Sequence, residues 1–247
     1  MEGSSISGRR GLWLRSEQAF GLESVASAPV APPPTPTAGS SLFVPISPDS
    51  REQKIALLSA MDEKEVKPCQ RCRLCESRKH TVFGEGDPDA KIFFIGEGPG
   101  ENEDLQGRPF VGRAGELLNK MIAAMGLRRE DVFIANIVKC RPPGNRVPAP
   151  DEVGACTPYL LRQLEIIRPK VIVTLGLPAS KYMLQSKLSM GKLRGQWHDW
   201  RGIKLMPTFH PAYLLRSYTE ENRAMVWSDL RQVMAEVGLA APGRGGK

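Results

Sequence analysis

From Lys91 onward the chain repeats one pattern, a short apolar run closed by a turn residue and then a longer amphipathic segment. Lys91 to Gly96 (KIFFIG), Val132 to Val138 and Lys170 to Leu175 have the length and density of buried strands. Between them, Ala114 to Met125 sets Leu117, Leu118, Met121, Ile122 and Met125 on one helical face. Asp151 to Ile167 is a second amphipathic helix closed by Pro169, and a shorter one runs from about Pro178 to Leu184. Trp197–Trp200 and Ile203–Met206 predict a hairpin turning at Arg201–Gly202, or a strand pair leading into His210, before a last helix from Glu220 to Val237. Strands separated by helices at this spacing predict an α/β fold, three layers α/β/α around a central, mostly parallel four-stranded sheet. Such sheets bind ligands beyond the carboxyl ends of their strands, which directs attention to the segments after Gly96, Val138, Leu175 and Thr208.

Upstream of this pattern, Ser24 to Ser40 (SVASAPVAPPPTPTAGS) is rich in proline and small residues. Proline removes backbone donors and favours extended geometry, so residues 1–48 are expected to be a disordered arm, with Trp13 and Leu14 as a stray apolar pair or a short docking element. The folded domain is expected over 49–240, opening with a helix capped by Asp49 or Ser50 and running to about Met61, with 241–247 as a flexible tail. The net charge of +7 favours a polyanionic partner, since each cation set against a phosphate releases a counterion. No apolar run reaches the roughly 18–20 residues of a membrane span, and no apolar segment follows Arg9–Arg10 as a secretory signal would require. A cytoplasmic protein without a membrane partner is the expectation. Five cysteines, an odd number, suit thiols used for a metal better than a disulfide framework.

The strand KIFFIG runs into Glu97-Gly98-Pro99-Gly100-Glu101-Asn102-Glu103-Asp104, read as a loop. A surface turn is the plain reading. A dinucleotide loop fails, because Gly96, Gly98 and Gly100 do not give G-x-G-x-x-G into a helix and four acidic groups would repel a pyrophosphate. Free backbone N–H groups beside carboxylates suit a neutral heterocycle better.

Three blocks carry a specific resemblance. GEGPGENEDLQGRPFVGRAG (Gly96 to Gly115), ANIVKCRPPGNRVPAPDE (Ala135 to Glu152) and FHPAYLLR (Phe209 to Arg216) resemble, in order, the signatures of the family 4 uracil-DNA glycosylases, over about Cys69 to Val237. The resemblance implies a monofunctional enzyme of base excision repair that flips uracil out of single- or double-stranded DNA and hydrolyses its glycosidic bond. It implies that Phe110 stacks on the flipped base, although core packing alone would also explain that ring. Asn136 corresponds to the base reader, its amide matching O4 and N3–H of uracil where cytosine presents the opposite pattern. Glu103 corresponds to a residue beside C5, where filling the space excludes the thymine methyl. Glu97 and Gly98 would lie near O2 and the attacking water, and His210 would donate toward O2 as uracil leaves as an anion. Gly98 stands where another family has a water-activating Asp, so a dissociative route is expected, with Glu97 orienting water. Leu214 or Leu215 could fill the gap left by the base, and Leu214 is the one expected to, with Tyr213 and Arg216 on the DNA backbone; both leucines could instead simply begin the last core element.

Cys69-x2-Cys72-x2-Cys75 offers two CxxC pairs, a spacing shared by zinc and redox sites, while Cys140 and Cys156 stand alone. The resemblance implies a 4Fe–4S cluster held by Cys69, Cys72, Cys140 and Cys156, with Cys75 free where relatives often carry another residue. Such a cluster would brace the loop containing Lys139, Arg141 and Arg146, cations suited to phosphate contacts. A monomer is expected. Two rivals remain: an electron-transfer or redox-sensing protein on this scaffold, and a relative that traps uracil-DNA covalently. The latter branch carries a basic, histidine-containing insertion after the first block, whereas Gly107 to Gly112 runs straight on here.

Overall fold

A computed structural model describes residues 50–240. The expected arm, the Trp13–Leu14 pair and the tail lie outside these residues.

The first helix, α1 (Arg51–Met61), opens on Ser50, whose hydroxyl accepts the Gln53 N–H at 3.3 Å, and it passes into a π turn over Asp62–Val66. A 3-10 turn, Arg73–Glu76, follows. The elements of the sheet region are then β1 (Glu85–Gly86), β2 (Ile92–Gly96), α2 (Glu101–Gln106), α3 (Arg113–Ala124), β3 (Phe133–Asn136) and α4 (Pro150–Ile167). The second half adds β4 (Val171–Leu175), α5 (Leu177–Leu184), α6 (Met190–Leu193), β5 (His198–Trp200), β6 (Ile203–Thr208), α7 (Pro211–Arg216) and α8 (Glu220–Val237).

The sheet has six strands in the order β1-β3-β2-β4-β6-β5, not the four expected. Its middle four, β3-β2-β4-β6, are all parallel; β1 and β5 join antiparallel at the two edges. The sheet is therefore mixed. β1 is too short to show an apolar run, and β5 is half of the hairpin foreseen at Arg201–Gly202, where both residues take positive φ.

The strand period of two sends alternate side chains to opposite layers. Phe93 and Ile95 of β2 pack with α1, α4 and α5 in one core, while Ile92 and Phe94 pack with α3, α7 and α8 in the other. Both faces are covered, so β2, β3 and β4 are buried along their whole length. The segment after β2 is also corrected: after four residues it becomes the helix α2, whose polar sequence ENEDLQ lacks an apolar stripe to announce it. Among the described residues, no helix is long and apolar enough to cross a membrane.

Candidate active site and cysteine cavity

Three segments meet where β2 and β3 end. A Cβ at Gly96 would lie 2.3 Å from Asn136 Oδ1 and 2.6 Å from Phe110 Cζ, so only the bare backbone lets these side chains converge over the strand end. Asn136 is 1% exposed, and its Oδ1 is buried without a hydrogen-bond partner among the described residues. An orphaned buried acceptor is destabilising by about 1–3 kcal/mol, and at the end of a parallel strand it marks a place for a ligand donor.

Phe110 is held in a left-handed conformation, φ 50°, with 6% of its surface exposed. Glu103 Oε1 accepts the N–H groups of Val111 (2.8 Å) and Gly112 (2.9 Å), and Oε2 accepts that of Gly100 (3.1 Å). From the other side, Arg129 donates to the carbonyls of Phe110 and Pro109 and pairs with Glu85, which Arg108 also grips with two bonds. Helix α3 starts directly beneath: a Cβ at Gly115 would lie 1.8 Å from the Phe110 carbonyl oxygen. Sequence reasoning missed Arg129 and Gly115. The glycine inside an otherwise apolar helical stripe was the available signal.

His210 caps α7, and its ring lies 5.6 Å from that of Phe110. Its Nδ1 accepts the Ala212 N–H at 3.0 Å. Burial, then the nearby Arg216, pulls the imidazole down to about 4, against a weaker upward pull from Glu103. The ring is thus neutral at pH 7 and carries its proton on Nε2. Gly176, at φ 88°, makes room for it, since a Cβ there would meet His210 Cβ at 2.9 Å.

Glu97 is partly buried, its carboxylate has no partner among the described residues, and burial raises its pKa. A Cβ on Gly98 would lie 2.8 Å from Val138 Cγ2, so a larger residue there needs Val138 to move.

The expected DNA-facing residues divide. Tyr213 and Leu215 are each 37% exposed, Tyr213 stacks on Phe209 at 4.9 Å, and Arg216 is exposed. Leu214, expected to fill the gap left by the base, is 2% exposed and packs in the α3–α7–α8 core. The cap at His210 sets the register of α7 and turns Leu214 inward, away from the surface. Arg141 bonds Asn145 Oδ1 at 2.8 Å and lies 3.9 Å from Glu101, leaving it partly open. Arg146 is committed to both oxygens of Glu152 (2.6 and 2.8 Å), holding that buried carboxyl down at about 2 together with Ala149 N–H and Arg73. Arg146 therefore braces its loop, and its exposed edge alone is left for a phosphate. Lys139, grouped with these cations from the sequence, is buried and faces no solvent.

Cys69, Cys72, Cys140 and Cys156 line one small cavity with Arg71, Arg78, Lys139 and Tyr159; Cys75 does not line it. Arg78 Nη1 lies 3.2 Å from Cys140 Sγ, and the Lys139 N–H points at Cys156 Sγ at 3.1 Å. Burial raises the thiols of Cys72 and Cys140 and pushes that of Cys156 up to about 12, so thiolates here require positive charge beside them. Among the described residues, no group of three or more His, Cys, Asp or Glu side chains converges as a site for a single metal ion. The four thiols surround a shared space instead.

The profile of the Uracil DNA glycosylase superfamily matches residues 83–231. The Type-4 uracil-DNA glycosylase of Thermotoga maritima is 49% identical over 185 residues, 74% of this chain and 94% of the relative. That of Saccharolobus solfataricus is 51% identical over 178 residues, 68% of this chain and 82% of the relative. The Type-5 enzyme of Pyrobaculum aerophilum is more distant, 30% identical over 166 residues, 60% of this chain and 73% of the relative. With its first, second and last blocks meeting at the strand ends, the chain belongs to the uracil DNA glycosylase superfamily, as a member of its family 4 type.

Proposed function

We propose that this chain excises uracil from DNA by hydrolysing the N-glycosidic bond of a flipped nucleotide, leaving an abasic site for base excision repair. The unpartnered Asn136 Oδ1 carries this reading: it is an acceptor awaiting the N3–H of uracil, while Nδ2 donates to O4. Cytosine has an acceptor at N3 and a donor at C4, so the same amide opposes it. Phe110 supplies the stacking face, and the His210 Nε2–H donates to O2. As the C1′–N1 bond breaks, its electron pair passes onto the uracil ring and O2, where the neutral imidazole meets the growing charge. Water adds to the oxocarbenium-like C1′ and its proton passes to the departed uracil anion through solvent; Glu97, raised by burial, is the candidate to orient the water. Leu215, exposed on α7, takes the gap-filling role in place of Leu214, with Tyr213, Arg216 and Arg141 on the DNA backbone.

The same reading assigns Cys69, Cys72, Cys140 and Cys156 as ligands of a 4Fe–4S cluster. The donor set fits, with four thiols around one cavity and Arg78, Arg71 and Lys139 beside them to balance an anionic group. Thiols spread around a space suit separate irons of one cluster better than a single ion. The cluster would tie the segment before β1 to the β3–α4 loop through Cys140 and to α4 through Cys156, a bracing role.

A uracil-containing oligonucleotide cleaved by alkali after incubation, over many turnovers per enzyme, is the expected result. Intact cluster absorbance with no abasic product would favour the electron-transfer reading, and a single-turnover adduct that survives denaturation would favour covalent trapping. For the cluster, Cys75→Ala is expected to keep iron, sulfide and visible absorbance, and Cys156→Ala to lose them.

A further inference from the structure

Lys139 lies between Val138 and the proposed ligand Cys140, and only 1% of its surface is exposed. A buried ammonium persists only where its donors are met and its charge is balanced. Nζ donates to Gln163 Oε1 at 2.6 Å and to the Asn136 carbonyl at 3.1 Å. Gln163 is itself fixed, donating to the Phe83 carbonyl at 2.9 Å. The Lys139 main chain is held too, its N–H on Cys156 Sγ and its carbonyl accepting the Val82 N–H at 2.7 Å. Among the described residues no carboxylate is within ion-pair distance of Nζ, and Lys139 lines the same cavity as Cys140 and Cys156.

The bond to Asn136 falls where the sheet leaves a gap. The Ile137 N–H donates to the Gly96 carbonyl, so Ile137 faces β2. By strand alternation the Asn136 carbonyl faces the β1 side, and β1 pairs only as far as Ile134. Nζ of Lys139 takes the place of the missing ladder donor.

We propose that Lys139 is a positioning residue coupling the cysteine cavity to the base reader, balancing the thiolates of the cluster site while its bond to the Asn136 carbonyl fixes the strand end that carries the reading amide. The charge-balance half rests on the 4Fe–4S reading; the link to Asn136 does not.

The test compares holoenzyme purified without oxygen with Lys139→Met and Lys139→Arg. Lys139→Met keeps the stem and loses the donor and the charge. It is expected to lower kcat/KM on a uracil oligonucleotide at least tenfold and to shift the cluster midpoint potential to more negative values, because removing a buried cation disfavours the more negative reduced state. Lys139→Arg is expected to restore the potential while leaving kcat/KM low. A merely structural lysine would lower the melting temperature without moving the potential. Unchanged kcat/KM in Lys139→Met overturns the link to Asn136 whatever the iron content, and an unchanged potential overturns the charge balance. Should Lys139→Met not fold, Gln163→Met removes the 2.6 Å anchor and keeps the charge; it is expected to lower kcat/KM with the potential held, and wild-type kcat/KM there overturns the link. Wild-type protein without iron and sulfide would defeat the cluster reading alone.

Discussion

Nδ1 of His210 accepts the backbone N–H of Ala212 at 3.0 Å, which leaves Nε2 as the ring's one donor. A neutral imidazole can still stabilise a departing anion, provided the ring is held in place, and α7 holds it by its cap. With the folded value at about 4, base release limited by His210 is expected to be level from pH 8 to pH 5 and to fall only as the pH approaches 4. Stability follows with a definite sign. Between about 6.5 and 4 the unfolded chain binds the proton that the folded chain refuses, so this site's contribution is intact above 6.5 and is lost as pH falls to 4. His210→Gln is expected to lower single-turnover base release about 100- to 1000-fold and to flatten the pH dependence of the urea midpoint over that window. A base-release profile that breaks near pH 6.5 would show that the ring works as imidazolium.

Asn136 presents a conflict between stability and function. Its buried Oδ1 has no partner among the described residues, so the fold carries it at a loss. Asn136→Leu, near-isosteric and without the orphaned acceptor, is expected to melt no lower than the parent. Loss of a paired amide-to-base contact should lower uracil release at least tenfold to a hundredfold. A variant with lower melting temperature and normal activity would mean that the amide serves the fold and not the base.

The sequence expectation for Glu103 is a steric block beside C5; its carboxylate also accepts the N–H groups of Val111 and Gly112, holding the turn that carries Phe110, and that of Gly100 at the start of α2. Glu103→Ala is therefore expected to destabilise the protein by about 3 kcal/mol, since bonds to a charged acceptor are among the stronger ones. Uracil release should fall because the stacking platform loosens, and no thymine release should appear. Release rates on matched uracil and thymine oligonucleotides decide it: thymine excision with uracil excision intact would restore the purely steric role.

The parts legible in the sequence were those governed by a period. Buried parallel strands such as Ile92–Gly96 are apolar throughout, and α3 and α4 carry regular stripes, so the layered fold followed from pattern alone. The edge strand Glu85–Gly86 and the polar helix Glu101–Gln106 have no such period and stayed hidden. The contents of the pocket came from motif resemblance, but the side-chain commitments within it depend on tertiary contacts. Lys139 and Arg146 both read as surface cations, since charge is visible in a sequence; that one meets Gln163 and the other Glu152 is not.

The two leucines of α7 show how one residue of helical register separates packing from contact. Leu214 is 2% exposed among Met121, Val226 and their neighbours, whereas Leu215 is 37% exposed beside Tyr213 and Arg216. Leu214→Ala removes a filled core position and is expected to lower stability by about 2–5 kcal/mol, with activity on single-stranded uracil DNA following the folded fraction. Leu215→Ala should leave the melting temperature within a degree or two, because an exposed side chain contributes little to the fold. Its effect should fall on duplex substrate, where the vacated stack needs an apolar filler, and be small on single strands, where there is no stack to fill. The ratio of duplex to single-strand kcat/KM is the measurement. A drop for Leu215→Ala with none for Leu214→Ala, once corrected for folded protein, supports the assignment; the reverse would mean that α7 turns on binding DNA.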